Sequence, residues 1–373
     1  MIEQADGAGR IAVVGAGTMG RGIAQVAVTA GYRVLLSDAR AGAAEEAVAF
    51  VTAMLARAAE KGRLAPSEAE RASRRLAVAP PARQDNLVIE AVVEDLDVKQ
   101  RLFAQIEAAV APDALLATNT SSLSVTEIAS LLAHPERLVG LHFFNPVPLR
   151  RLVEIVPGEL TSRDALERAE SFVTRVGHHG VVVSDSPGFL VNHVGRAYST
   201  EALRLLDEGV ADPAALDRVL RDAAGFPMGP FELLDLTGLD VSQPVMESVW
   251  AGFYGDPRLR PSPTGRRRLA ARRLGRKSGT GFYRYGPDGP QLPPEQTAPA
   301  YDGAPLWVSH ADEAGERLAE LLRGADVAVE SGHAPTTEAV AIITPWGSDV
   351  TTAALAQRLP PERVVGVDQF GRY

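Results

Sequence analysis

The chain has 373 residues, 46% of them hydrophobic and 23% charged, an ordinary balance for a soluble globular protein and enough length for two or three cores. It has no cysteine, which excludes disulfides, thiolate metal sites and cysteine nucleophiles. The net charge of −9 argues against general nucleic-acid binding, and nothing reads as a signal peptide or a membrane-spanning apolar run, so the cytoplasm is the expected compartment.

Ile11 to Val14 is a short β-rich run leading straight into Gly15-Ala-Gly-Thr-Met-Gly20. A helix with Ile23, Val26 and Ala27 on one face follows, and Tyr32 to Ser37 reads as a second strand closed by Asp38. Strand, glycine turn, helix, strand and acid in this order form a dinucleotide-binding βαβ unit. Gly15, Gly17 and Gly20, with Thr18 and Met19, would bring a pyrophosphate to the free N–H groups of the helix N-terminus. Asp38 would accept from the adenosine ribose hydroxyls and repel a 2′-phosphate, so the expected cofactor is NAD.

Residues 41–75 read as two helices broken between Gly62 and Pro66. Arg57, Lys61, Arg63, Arg71, Arg74 and Arg75 make this a basic excursion in an acidic protein, mostly a solvated face, with Arg57 and Lys61 as candidates to meet a polyanionic substrate handle. Lysine occurs elsewhere only at 99 and 277, all other cations being arginine, which leaves two readings open: positions that require a compact ammonium, or chance survivors of an arginine bias.

Further strands are expected at 87–93, 115–118 and 138–141, with a helix over 99–110. The alternation implies an α/β, Rossmann-type, doubly wound parallel sheet to about residue 186. Ligands then lie at the carboxyl ends of the strands, where Asp38, Glu94, Asn119 to Ser122 and His142 fall. The segment from His142 to Glu154 holds a possible proton acceptor and a carboxylate able to orient it.

From Ser186 the pattern turns helical: an amphipathic helix over 192–208, another capped at Asp212-Pro213, and a break at Gly225 to Pro230. The Arg-dense stretch 258–277 reads as a surface that is solvated or faces a polyanionic substrate handle, rather than as a nucleic-acid site. The tail repeats an earlier element at a constant offset: Thr344 to Thr352 lines up with Thr118 to Thr126, and Pro361 to Asp368 with Pro135 to His142. Gly347 stands for Ser121 and Asp368 for His142, and no glycine fingerprint is found. The expected division is therefore 1–186, a nucleotide-binding domain with a helical insertion at 41–75; 187–286, an all-α domain; 287–304, a linker; and 305–373, a partial, degenerate Rossmann-like unit. No metal site is expected.

Seven segments together carry a family resemblance: Gly15 to Gly20, Glu94-Asp-Leu-Asp-Val-Lys99, Asn119-Thr-Ser-Ser-Leu123, His142-Phe-Phe-Asn-Pro-Val-Pro148, Pro187-Gly-Phe-Leu-Val-Asn192, Gly225 to Leu233 and Lys277-Ser-Gly-Thr-Gly-Phe-Tyr283. Over residues 10–285 the chain resembles the (3S)-3-hydroxyacyl-CoA dehydrogenases, and its tail resembles the longer two-unit members, including those that oxidise 3-hydroxyadipyl-CoA in phenylacetate breakdown. The resemblance implies NAD-dependent, reversible oxidation of a 3-hydroxyacyl-CoA, with His142 as general base, Glu154 holding its other ring nitrogen, and Ser121 and Asn192 orienting the substrate oxygens. It implies Glu94, Lys99 and Asn119 near the nicotinamide half of NAD, Lys61 and Arg57 at the CoA phosphates, and a homodimer. Arg150 and Arg151 beside the catalytic segment suggest an acyl chain ending in a carboxylate. Two other readings stay open: a non-CoA hydroxyacid dehydrogenase such as an L-gulonate 3-dehydrogenase, and a non-catalytic NAD-binding protein.

Overall fold

The computed structural model describes residues 9–294, 301 and 303–368. The chain divides into two compact units, one of residues 1–201 with 240–265, the other of 202–239 with 266–373. Among the described residues no helix is long and apolar enough to cross a membrane.

The first unit opens with β1 (Arg10–Val14), α1 (Thr18–Thr29), β2 (Arg33–Ser37), α2 (Ala43–Glu60), α3 (Pro66–Arg74) and β3 (Leu76–Val78). It continues with β4 (Leu87–Glu90), α4 (Leu96–Ala109), β5 (Leu115–Thr118), α5 (Val125–Ala129), β6 (Leu138–Phe143), β7 (Leu152–Pro157), α6 (Arg163–Arg175) and β8 (His179–Val182). The strands form one sheet in the order β3-β2-β1-β4-β5-β6-β7-β8. Every residue of β4, β5 and β6 is buried, as expected for central strands covered by helices on both faces. Ile11, Val13, Ile23, Val51, Leu55 and Phe172 fill one side, and Ala12, Val88, Phe103, Ile106 and Ile128 the other.

The expected parallel order holds from β3 to β6 and fails at the next pair: β6 and β7 are antiparallel. The connection between them, residues 144–151, is too short for the crossover that a parallel return requires. This reversal sets His142 directly opposite Glu154 in the register.

The remaining helices are α7 (Val191–Asp207), α8 (Pro213–Arg218), α9 (Pro230–Thr237), α10 (Leu239–Gly252) and α11 (Pro263–Ala270). In the second unit two buried aspartates tie distant segments together. Asp217 accepts from the N–H groups of Phe231 and Glu232 and from the Tyr283 hydroxyl. Asp235 accepts from the N–H groups of Phe282 and Tyr283 and from the Tyr285 hydroxyl. A Cβ at Gly281 would collide with the Asp235 carboxylate, which explains the small residue there. The segment 287–304, read from its composition as a linker, instead begins by pairing: β9 (Arg284–Gly286) and β10 (Gly289–Gln291) form an antiparallel hairpin. Residues 295–300 and 302 of that segment lie outside the described residues.

The tail folds as β11 (Leu306–Val308), α12 (Glu313–Gly324), β12 (Val340–Ile343), α13 (Val350–Ala356) and β13 (Val364–Gly366), a parallel sheet in the order β11-β12-β13. Leu306 also bridges Val329 in parallel, as Ile11 pairs with Val34. One offset relates Ile11 to Leu306, Val34 to Val329 and the whole of α1 to α12, so the tail repeats the opening β1-α1-β2 unit as well as the later one. Of the three fingerprint glycines only the last has a counterpart, Gly315, while Asp312 stands where α1 has Gly17. The Asp312 side chain accepts from Gly315 N and from the Thr344 hydroxyl. A carboxylate thus occupies the helix N-terminus that a pyrophosphate would need, consistent with a degenerate copy.

Candidate active site

At the carboxyl edge of the sheet, the turn from β1 into α1 is open. Gly15 has φ 107°, and a Cβ there would strike the Ala91 carbonyl. Gly17 caps α1 without any side-chain hydrogen bond, and a Cβ on it would meet nothing within 4 Å. The free first-turn N–H groups and this open approach fit a dinucleotide pyrophosphate. Thr18 and Met19 begin α1, and Gly20 packs against the Gly15 carbonyl. Asp38 follows β2 and is tethered by Ala16 N (2.7 Å) and Arg40 N (2.8 Å), which fixes its carboxylate beside the glycine turn.

His142 and Glu154 are 6% and 1% exposed, and His142 Nδ1 lies 2.6 Å from Glu154 Oε2. The other carboxylate oxygen accepts from Leu190 N (2.9 Å) and Val191 N (2.8 Å), at the start of α7. Gly188 (φ 77°) and Phe189 (φ 51°) are both left-handed just before these donors, a costly conformation for a bulky residue that the close packing around it sustains. Burial pushes the Glu154 carboxyl up, but the His142 hydrogen bond, the two backbone N–H donors and the charge on His142 outweigh it and hold the group below its ordinary value. Glu154 therefore stays ionised, and its tie to Nδ1 leaves Nε2 as the free ring nitrogen. The rings of Phe144 and Phe189 pack against the imidazole at 4.5 and 5.8 Å.

Asn192, the second residue of α7, donates from Nδ2 to the Ser121 carbonyl (3.3 Å). Ser121 donates from N and Oγ to Glu94 Oε1 (2.7 and 3.1 Å), and Thr120 and Ser122 bond to the same oxygen. Asn119 Oδ1 accepts from Phe143 N (3.0 Å), fastening this loop to the residue after His142. The structure thus brings His142, Glu154, Asn192, Ser121, Asn119 and Glu94 into one network. Glu94 is pushed up by burial, but Lys99 and the donors from Thr120, Ser121 and Ser122 pull it below its ordinary value.

Lys99, on α4, is buried. It is 1% exposed and pairs first with Glu90 (2.5 Å), only then with Glu94 (3.4 Å). Sequence reading missed Glu90, which also accepts from Thr118 Oγ1 and Val92 N, because a glutamate inside an apolar strand gives no local sign of its partner. It missed Asp185 for the same reason: that carboxylate collects Ser124 Oγ, Val125 N and both donors of Thr126, and so fixes the loop that carries Ser121.

Beyond the loop that follows His142 runs a groove of about 690 Å³. Arg21, Arg57, Lys61, Arg63 and Arg151 line it together with Phe50, Met54, Val147 and Leu149, and no carboxylate lines it. Arg21 stacks on Phe50 at 4.0 Å. Arg57 and Lys61 therefore face the same cavity, as their expected role requires, and Arg63 and Arg151 extend the cationic wall.

Residues 10–186 match the family model for the NAD-binding domain of 3-hydroxyacyl-CoA dehydrogenase, and residues 188–285 match the model for its C-terminal domain. The chain is 44% identical to the 3-hydroxyadipyl-CoA dehydrogenase of Escherichia coli over 73% of its length, a match that spans 58% of that longer protein. It is 39% identical to a probable 3-hydroxybutyryl-CoA dehydrogenase of Bacillus subtilis, covering 74% of this chain and 97% of that one. Among solved structures, a 3-hydroxybutyryl-CoA dehydrogenase from Escherichia coli aligns with 97% of this chain and 81% of its own at a TM-score of 0.77 and 34% identity. The (S)-3-hydroxybutyryl-CoA dehydrogenase of Ralstonia eutropha aligns with 74% of this chain and 99% of its own at 0.72 and 36%. The glycine turn with its open helix end, the buried His142–Glu154 pair and these likenesses agree: the chain belongs to the 3-hydroxyacyl-CoA dehydrogenase family.

Proposed function

We propose that this chain oxidises (3S)-3-hydroxyacyl-CoA to 3-oxoacyl-CoA, reversibly and with NAD. The observation that carries the reading is the His142–Glu154 pair, set opposite each other on antiparallel strands and locked by two backbone donors. NAD, when bound at the glycine turn by Gly15, Gly17, Gly20 and Asp38, supplies the acceptor for the hydride leaving C3. Nε2 of His142 takes the proton of the 3-hydroxyl, and Glu154 stabilises the imidazolium that results. A base so placed contributes a factor of about 10²–10⁴. In the reverse direction the imidazolium returns that proton to the 3-keto oxygen. Ser121 Oγ and the Asn192 amide hold the substrate oxygens, both able to donate and accept. Glu94 and Lys99 set the loop on which Ser121 rides.

The CoA handle is assigned to the groove lined by Arg57, Lys61, Arg63 and Arg151, where several unopposed cations favour a polyanion. The cytoplasm and a homodimer complete the reading. The test is NAD reduction with (3S)-3-hydroxybutyryl-CoA, its (3R) epimer, free 3-hydroxybutyrate and L-gulonate. Turnover of the (3S) thioester alone supports the reading. Turnover of a free acid at equal efficiency replaces it with the non-CoA alternative, and binding of NAD without turnover of any of the four replaces it with the non-catalytic one.

A further inference from the structure

The crossing from β8 to α7 is a strained turn with a tie on either side of it. Residues 183–192 run from that strand into the helix that carries Asn192, and they span the junction of the two matched family domains, 10–186 and 188–285. Gly188 and Phe189 are left-handed in the middle of this stretch, and Phe189 is buried with its ring 5.8 Å from that of His142. A bulky residue keeps that conformation only while its surroundings over-determine it, so the turn depends on what holds its two ends.

After the turn, Leu190 N and Val191 N donate to Glu154, and Asn192 Nδ2 donates to the Ser121 carbonyl. Before the turn, Asp185 anchors the crossing to the start of α5. Its Oδ2 accepts from Ser124 Oγ (2.8 Å), Thr126 N (2.8 Å) and Thr126 Oγ1 (2.7 Å), and its Oδ1 from Val125 N (2.9 Å). Thr126 Oγ1 in turn accepts from Glu159 N (3.0 Å), and a Cβ on Gly158 would press on Thr126 from 3.1 Å, so close packing backs the anchor. Bonds to an ionised acceptor are the strong ones, and using both oxygens fixes the plane of the carboxylate. Asp185 therefore joins the two stretches of chain on which the substrate-orienting groups ride: its donors follow Ser121 along one, and Asn192 follows it along the other.

We infer that Asp185 is a positioning residue for the reaction, one that sets Asn192 against Ser121 by tying the crossing of the first to the loop of the second. The inference rests on the dehydrogenase reading above, in which those two side chains hold the substrate oxygens. Releasing the anchor lets the strained turn relax and moves Asn192 with it. A displacement of about 1 Å in an orienting group costs about 10²-fold in rate, so an anchor remote from the chemistry still acts on turnover. None of the four bonds to Asp185 reaches the glycine turn, so NAD binding is left as it is.

The experiment is a double-mutant cycle on the full chain: wild type, Asp185→Asn, Asn192→Ala and the pair, each measured for kcat with (3S)-3-hydroxybutyryl-CoA, KM for NAD and Tm. Asp185→Asn keeps the size and sets an NH₂ against N–H or O–H donors. It is expected to lower kcat by about 10²-fold with KM for NAD within about twofold. In the Asn192→Ala background the same change is expected to cost no more than about threefold, because the group it positions is already gone. A loss of equal size in both backgrounds overturns the inference and marks Asp185 as a general support of the fold, which Tm alone would follow. A single variant within about threefold of wild type overturns it as well. Should Asp185→Asn not fold, Thr126→Val decides: it removes one donor and leaves the carboxylate, and its expected loss of about 3- to 10-fold in kcat again disappears in Asn192→Ala. Failure of the dehydrogenase reading looks different: wild type itself turns over no 3-hydroxyacyl-CoA, and the inference falls with it.

Discussion

Replacing Glu154 with glutamine changes one atom type and tests what the carboxylate does. Oε1 of Glu154, itself buried, accepts two backbone N–H groups, Leu190 and Val191, in part-buried hydrogen bonds. In Glu154→Gln the amide oxygen is held on those donors, because turning it away sets the amide NH₂ against two N–H groups and forfeits two hydrogen bonds worth about 1 kcal/mol each. The amide NH₂ then faces His142 Nδ1, which becomes an acceptor, and the ring proton moves to Nε2. A histidine so protonated cannot take the substrate proton, and the loss of the carboxylate charge also disfavours the imidazolium. A base trapped in the wrong tautomer is expected to cost about 10³–10⁴ in kcat. NADH formation at saturating NAD and (3S)-3-hydroxybutyryl-CoA reads that loss, and thermal melting controls for the fold. The backbone contacts survive, so Tm should fall by no more than a few degrees. A glutamine variant within about tenfold of wild-type kcat would refute this role for Glu154.

Arg57→Ala and Lys61→Ala should each raise KM for the acyl-CoA about tenfold or more with kcat little changed, since a charge-assisted hydrogen bond is worth about 1.5–3 kcal/mol; an unchanged KM would remove the groove from CoA recognition. Asp235→Ala strands Phe282 N, Tyr283 N and the Tyr285 hydroxyl at about 1–3 kcal/mol per buried donor, so thermal or urea unfolding should show a loss of several kcal/mol; a loss under 1 kcal/mol contradicts the tie. Burial, with the hydrogen bond to Asp217, raises the Tyr283 pKa, and burial with the charge of Asp235 raises that of Tyr285. A raised acid binds its proton more tightly when folded, so this stability is present below the ordinary tyrosine value near 10 and is lost as pH rises above it. Glu154 and Glu94, held low, act oppositely: their contribution is present above the ordinary glutamate value near 4.3 and is lost as pH falls below it. Unfolding free energies measured from pH 3 to 11 should decline at both ends, and Tyr283→Phe should flatten the alkaline limb.

The parts of this fold that sequence reveals are those built from neighbours. The glycine turn, its helix and Asp38 lie within one βαβ unit, so local spacing suffices. His142 and Glu154 are close in sequence as well, although nothing short of the structure shows that a reversed strand places them face to face. Longer reaches were hidden. Lys99 stands out as one of few lysines, but its partner does not, because the buried Glu90 that holds it sits inside an apolar strand. Asp185 fixes the start of α5 from a residue distant in the chain. In the tail, the matched residues of the later strands were visible, whereas the counterpart of the first glycine turn was masked by Asp312 and retained only Gly315.

The most direct measurement is NADH oxidation by the purified chain with acetoacetyl-CoA, read at 340 nm for wild type and His142→Gln. NADH-dependent reduction that His142→Gln lowers by about 10²-fold or more, with NADH binding retained, is the expected result. Reduction that proceeds equally well without His142, or no reduction of acetoacetyl-CoA or any longer 3-oxoacyl-CoA by protein that binds NADH, would contradict the assignment of this site.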